Sequence, residues 1–320
     1  MTDAVASRGL ALRLRPPETL SATTAYLLAL LPLAAAGAVF FRLQALIPLL
    51  IAAVCWLVAW LGLRQLGWFG RNPDARALVI TAGATTLILL PPGMAWYWAA
   101  GAAAGSVLVA TIVAWAGMRL HPSAVVYALL LLLLGPEMSH YLSAFTLVPM
   151  SEPVRLWETY SSYGRSLFSA ASLYVGDVPG PVFATSMMAV GMALAWLWLC
   201  RRVSPLTLAG FAVGVLVLSW LLTYPISLQL VSGPTWFAAG FLLADHRMLP
   251  RSAPLRLLAG LLAGAAAIGL RQLGLAIEVV PICVLGTQLL LQLPNLITRL
   301  IRADPLGWRK LEPLGPGPVD

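Results

Sequence analysis

Two short stretches of the chain combine residue types that could hold an anion or interrupt a helix. Residues 176–186 read Gly-Asp-Val-Pro-Gly-Pro-Val-Phe-Ala-Thr-Ser. Glycine and proline let the backbone approach a neighbour closely, and Thr185 and Ser186 then open an apolar run. A helix starting there presents unpaired N–H groups and the positive end of its dipole, a natural seat for a phosphate. An ordinary loop closed by a Thr or Ser cap accounts for the same residues. The second stretch, residues 230–235, reads Leu-Val-Ser-Gly-Pro-Thr inside a long uncharged segment. Pro234 lacks a backbone donor and Gly233 loosens the chain, so a helix breaks there, and the freed backbone groups must face protein, water or a ligand. The same run ends at Asp245, next to His246 and Arg247, where an interfacial ion pair and an ion-pathway carboxylate are both open readings. No Gly-x-Ser-x-Gly, His-Glu-x-x-His, P-loop or dinucleotide-binding fingerprint occurs. Cys55, Cys200 and Cys283 lie far apart in apolar surroundings, and His121, His140 and His246 are dispersed, so neither set reads as a metal site. These residues speak for binding, with no catalytic or metal-ligating set of the protein's own.

The elements that must position them are membrane helices. Of 320 residues, 60% are hydrophobic and only 10% charged, against roughly 25% charged in soluble domains, and mean hydropathy is +0.87. That excludes a soluble enzyme, a disordered chain and a disulfide scaffold. Continuous rather than alternating apolar runs exclude a lipid-facing barrel. Reading apolar runs against punctuation predicts ten spans: 22–41, 44–63, 77–91, 95–117, 122–142, 181–199, two within 203–244, 254–270 and 276–298. The formal charge of +8 is no nucleic-acid signature, because the charges sit at the ends of apolar runs. With the N-terminus inside, sixteen of the 20 Lys and Arg fall on the cytoplasmic side, and only Arg42, Arg155, Arg165 and Arg271 fall outside. This predicts a multi-pass protein of the bacterial inner membrane with both termini cytoplasmic. The chain reads as one membrane domain: a first half (1–150), an outer loop (151–180) and a second half (181–320). The polar stretch 146–178 around Glu152, Trp157, Glu158 and Asp177 could cover a site or contact a partner.

The halves echo each other. Gly83-Ala84-Thr85 recurs as Gly233-Pro234-Thr235, and Gly117-Met118-Arg119 as Gly269-Leu270-Arg271, at nearly equal offsets. Five helices per half would place the second half upside down. The expected fold is therefore all-α and polytopic, with about ten transmembrane helices in two inverted five-helix repeats with broken helices.

At these residues the sequence resembles a known family: the D subunit of the Rnf electron-transport complex and the homologous B subunit of sodium-pumping NADH:quinone oxidoreductase. Leu230 to Asp245, LVSGPTWFAAGFLLAD, is similar to a D-subunit segment reading LLSGAT, an apolar run and TDP. GDVPGPVFATS at 176–186 is similar without gaps to the B-subunit segment GNIPGSxGETS, whose Thr before the final Ser carries FMN through its phosphate. The Pro91-Pro92 turn and His121-Pro122 match the first half more loosely. The resemblance implies FMN joined covalently to Thr185, with Gly180, Ala184, Ser186, Ser232, Gly233 and Thr235 around it, and room for a second, non-covalent flavin. It also implies the partners: other membrane subunits of the complex, a periplasmic FMN-binding subunit, a flavin transferase and the lipid bilayer, with no nucleic acid. The chain departs from the pattern at Phe183, where the acceptor motif has Gly, at Pro179, where it has Asp, and at Ala244-Asp245-His246 in place of TDP. Phe183 stands where it could crowd a flavin or its transferase. The implied function is a flavin-bearing, non-autonomous subunit of an ion-translocating oxidoreductase. A non-redox channel or transporter of similar inverted-repeat fold, and a structural subunit that has lost its flavin, are the alternatives.

Overall fold

The computed structural model describes residues 20–41, 43–67, 73–135, 138, 141–160, 168–273 and 278–302. The first half holds α1 (Ala22–Phe40), α2 (Leu43–Gln65), α3 (Pro73–Leu89), α4 (Trp96–Trp115) and α5 (Pro122–Leu134). A small antiparallel ribbon follows, β1 (Tyr141–Leu142) with β2 (Pro149–Met150), Tyr141 opposite Met150. Two short helices, α6 (Pro153–Tyr160) and α7 (Ala170–Val175), lead into the second half. That half comprises α8 (Met187–Leu199), α9 (Pro205–Leu221), α10 (Ile226–Leu230), α11 (Gly233–Phe237) running into a π-helical turn (Ala238–Leu243), α12 (Ala253–Arg271) and α13 (Val279–Arg302).

Local chemistry sets the boundaries. Ser21, Ser186 and Ser204 accept the N–H of Thr24, Ala189 and Thr207 at 3.1, 3.2 and 3.4 Å, capping α1, α8 and α9. Prolines fill the first helical turn of α5, α9 and α12, where a missing N–H costs nothing. Two expected spans are shortened. The run 122–142 ends as helix at Leu134, because Gly135 adopts φ +52° and Pro136 follows. The run 181–199 becomes helical only at Met187, because Ala184 N–H closes a turn onto the Pro181 carbonyl. The break expected at Gly233-Pro234 is present: α10 stops at Leu230 and Ser232 occupies the cap position of α11.

Among the described residues four helices, α1, α2, α4 and α12, are long and apolar enough to cross a bilayer, and five further apolar helical stretches, Val279–Pro294 of α13 among them, are shorter. Val39, Trp115, Leu132 and Trp220 are exposed on the outside of the bundle, as lipid-facing side chains are. Small residues sit where helices touch. α9 lies along α12, and α2 along α4, while α1 packs on α8 and α5 on α13. A Cβ on Gly210 or Gly260 would overlap the carbonyl of Leu257 or Thr207 across the α9–α12 seam. The α2–α4 seam is lined by Trp56, Ala59, Val107 and Ala110, with Val79 and Ala82 of α3 behind them.

The helix ends collect into two sets. At one end Arg202 donates to the Leu20 carbonyl at 2.5 Å, Ser204 N–H to Ala244 at 2.9 Å and His246 N–H to Arg202 at 3.1 Å, and Val203 bridges Asp245. At the other, Phe145 N–H donates to Phe40 at 2.9 Å and the Trp157 ring meets Tyr224, centroids 5.0 Å apart.

Candidate functional site

The two stretches singled out by composition meet at this second end. Gly176, at φ +107°, closes α7 and lets the backbone double back until a Cβ there would lie 2.8 Å from Ser186. Gly180 does the same further on, where a Cβ would lie 2.9 Å from the Thr185 methyl. The segment thus folded presses its Ala184 and Thr185 carbonyls onto the break in the other stretch. A Cβ on Gly233 would overlap the Ala184 oxygen and approach the Thr185 oxygen to 2.6 Å. Only glycine allows that contact.

Between the two lies a small cavity of about 20 Å³, lined by Thr185, Val178 and Pro179 on one side, Ser232, Gly233 and Pro234 on another, and Glu152 from the polar loop. Thr185 is buried apart from this opening, and its hydroxyl forms no hydrogen bond with the described residues. Ser186 is committed as the cap of α8. Ser232 and Thr235 share a hydrogen bond of 2.9 Å, and Thr235 in turn accepts from Arg271 Nη2 at 2.7 Å. Gly180, Ala184, Thr185, Ser186, Ser232, Gly233 and Thr235 therefore form one locality. The Phe183 ring packs against α1, where a Cβ on Gly37 would lie 2.5 Å from it, and is absent from the cavity wall.

Three charged residues stand around this locality that were not singled out as site residues from sequence. Glu152 is buried and caps α6, accepting Val154 N–H at 2.7 Å and Arg155 N–H at 3.0 Å. Burial first, then the charge of Glu278, pushes its carboxyl up to about 7, against the pull of those two N–H groups and of Arg271. Arg271, the last residue of α12, is fully buried, and its Nε and Nη1 have no partner among the described residues. Glu278, ahead of α13, is also buried, with Oε1 unpartnered. The available signal was an arginine and an acid flanking an apolar run on the side that carries few cations. From sequence Arg271 stood out only in the repeat and as one of the four cations on the cation-poor side.

Asp245 lies elsewhere, among the first set of helix ends. It is buried and pairs with Arg247, whose Nη2 and Nε reach Oδ2 at 2.6 and 2.9 Å. Arg247 also donates to Thr81 of α3 at 3.1 Å and lies over the Tyr26 ring at 4.9 Å. Nearby, His121 is buried with both ring nitrogens unpartnered. His140 lies outside the described residues.

Such an arrangement suits a phosphate ester better than a metal. A hydroxyl without a partner borders a cavity, helix α8 starts beside it, and a buried guanidinium stands one side chain behind the wall. Among the described residues no cluster of three His, Cys, Asp or Glu could hold a metal. No curated protein matches the sequence. A family model does, over residues 15–303, and that match covers both stretches and the residues that line the cavity. The chain belongs to the NQR2, RnfD, RnfE family, membrane subunits of ion-translocating complexes.

Proposed function

We propose that this protein is the flavin-bearing membrane subunit of an Rnf- or Nqr-like ion-translocating oxidoreductase, with FMN joined through its phosphate to Thr185. The observation that carries the reading is the cavity itself. Its wall offers one hydroxyl without a partner among the described residues, on Thr185, and the backbone around that residue is held by the helix break at Gly233-Pro234 in the same half of the chain. The cofactor would supply the electron chemistry; the chain's part is to hold the phosphate, exclude water and set the surroundings. Thr185 would carry the ester, Ser186 would hold the start of α8, and Ser232, Gly233 and Thr235 would form the facing wall.

The same reading takes the helices as ten spans in two inverted repeats. The packing supports it, since α2 on α4 has its counterpart in α9 on α12, and α1 and α8, like α5 and α13, are equivalent helices meeting between the halves. The single break in the second half then corresponds to the continuous α3 in the first. The charge partition puts the Thr185 end outside, where a periplasmic flavoprotein subunit could deliver electrons, and Asp245 with Arg247 inside, where a carboxylate could serve an ion pathway. Membrane subunits of the complex and a flavin transferase are the further partners.

Intact-mass spectrometry of protein co-expressed with a competent flavin transferase tests the central point. Wild type should carry the mass of one FMN less water on each chain. Thr185→Val keeps the shape, removes the hydroxyl and should leave the mass unmodified, whereas Ser186→Ala should retain the adduct. An unmodified wild-type mass overturns covalent attachment.

A further inference from the structure

At the cation-rich end of the molecule, the turn between α8 and α9 sets an apolar groove beside positive charge. Leu194, Ala195 and Trp198 on the last turns of α8, with Val203, Pro205 and Leu208 from the turn and the start of α9, line a groove of about 290 Å³. Met192, Leu199 and Leu206 are exposed on the same two helices, so the groove opens toward the hydrocarbon of a bilayer. Trp198 lines it with an indole that is 58% exposed, as tryptophans at a membrane interface are. We propose that the groove holds an acyl chain of an anionic phospholipid and that Arg202 and Arg256 bind its phosphate.

Hydrogen bonds place the cations. Arg202 N–H donates to the Leu197 carbonyl at 2.9 Å, closing α8, and the Arg202 carbonyl accepts His246 N–H at 3.1 Å. Its Nη2 donates to the Leu20 carbonyl at 2.5 Å, while Nε has no partner among the described residues. Val203, the next residue, already lines the groove, so this guanidinium starts from its mouth. Arg256, near the start of α12, folds its Nε back onto the Pro250 carbonyl at 2.8 Å. His246 faces both cations: burial first, then Arg256, and with less weight Arg202, lower its affinity for a proton against the pull of Asp245. Asp245 itself is held by Arg247, through Nη2 and Nε at 2.6 and 2.9 Å. Among the described residues no carboxylate pairs with Arg202 or Arg256.

Charge and shape together select the occupant. Two arginines without an acid call for an anion, and guanidinium forks suit phosphate oxygens. A zwitterionic head brings its own ammonium into the same field, whereas a glycerol head leaves the phosphate uncompensated, so basic sites at helix ends favour anionic lipids. A transmembrane helix of a neighbouring subunit would need a stripe of small residues to seat on, and Ala195 is the one small side chain in the lining. The groove spans little more than one turn of each helix, which is too short for a helix to lie along but open to a flexible chain. A phosphate shared by Arg202 and Arg256 ties the α8–α9 turn to the start of α12. None of this depends on the flavin reading above.

Native mass spectrometry of the delipidated full chain in detergent, titrated with phosphatidylglycerol or phosphatidylcholine, tests the site. Wild type should bind one phosphatidylglycerol roughly 30-fold more tightly than phosphatidylcholine, as two arginines at a lipid phosphate imply. Arg202→Gln and Arg256→Gln should each weaken phosphatidylglycerol roughly fivefold. Ala195→Leu fills the groove without touching the charges and should weaken both lipids. Arg64→Gln, in the last turn of α2 on the side that the charge partition makes the same, should bind as wild type does. Circular dichroism and gel filtration identify a variant that does not fold; Arg202 also holds the Leu20 carbonyl, so Arg256→Gln then carries the comparison. Equal affinity for the two lipids overturns the proposal, as does a loss in Arg64→Gln as large as that in Arg256→Gln, or an Ala195→Leu variant that binds like wild type. Inorganic phosphate alone binding as tightly as the lipid would mark a free-anion site and overturns it too.

Discussion

At the scale of single residues, the site depends on a missing side chain as much as on those present. Gly233 lets the start of α11 rest on the Ala184 and Thr185 carbonyls, and a methyl group there has nowhere to go except into backbone. Backbone cannot rotate aside as a side-chain tip can. Gly233→Ala should therefore push the two walls apart, lower stability by about 1–3 kcal/mol as overpacking does, and reduce any flavin carried at Thr185. Gly286 provides the contrast. It lies in the middle of α13 with nothing within 4 Å of the position a Cβ would take, so Gly286→Ala should be neutral or stabilise by up to about 1 kcal/mol. Thermal unfolding in detergent, followed by circular dichroism, separates the two; equal tolerance at both positions would show the Gly233 contact to be incidental. Much at this scale was legible in the sequence. Gly-Pro beside Thr, and Pro-Gly-Pro before Thr-Ser, signal chain breaks and close approach wherever they occur. That the two breaks lean on each other was not legible, because Thr185 and Gly233 are separated by three intervening helices and no local rule relates them. Glu152, Arg271 and Glu278 escaped for a similar reason: in the sequence each looks like an ordinary end-of-helix charge, and only the fold buries it.

At the scale of elements, the second half is held by a seam of glycines. Gly210 and Gly214 of α9 face Gly260 and Gly264 of α12, each meeting the partner's backbone. In lipid the helices gain little from hydrophobic burial, so close backbone packing carries the association. Because both Gly210 and Gly260 would overlap a carbonyl once a Cβ is added, Gly210→Ala and Gly260→Ala should each weaken the seam, and the double variant should cost less than the sum, since the first already separates the helices. Gly269, near the end of α12, has only a leucine methyl at 3.6 Å, so Gly269→Ala should be tolerated. Thermal midpoints of the four proteins check this, and strict additivity of the two seam variants would argue that they act independently. The spacing of small residues is visible in the sequence, but so is similar spacing at Gly101 and Gly105 of α4, where nothing lies within 4 Å. A small residue permits contact without specifying it; the identity of the partner helix comes from the rest of the packing. Helix limits show the same division. Gly135 and Pro181 mark backbone turns, yet one expected span ran through the first and another began at the second, because apolar residues continue beyond them and hydropathy alone does not register a backbone turn.

At the scale of the whole molecule, orientation depends on which helix ends share a side. The contacts of Leu20, Arg202, Ala244 and Asp245 gather one set, and those of Phe40, Phe145, Trp157 and Tyr224 the other. Neither set was used to count charges, yet the sequence partition of Lys and Arg assigns the first set to the cation-rich side and the second to the cation-poor one. Cation-rich connections stay in the cytoplasm because moving them across the bilayer is costly and biased against during insertion. The cavity with Thr185 and Glu152 would then open to the outside, and the Asp245–Arg247 pair would lie within. Cysteine accessibility checks this directly in a chain from which Cys55, Cys200 and Cys283 have been removed. Tyr174→Cys, on the exposed face of α7, and Arg251→Cys, in the exposed turn before α12, should report opposite sides. In intact cells a membrane-impermeant maleimide should label the first and spare the second, and permeabilisation should expose both. Labelling of Arg251→Cys alone would reverse the orientation and move the cavity to the cytoplasmic face, and labelling of both without permeabilisation would show that the two sets of helix ends do not lie on opposite sides of a membrane at all.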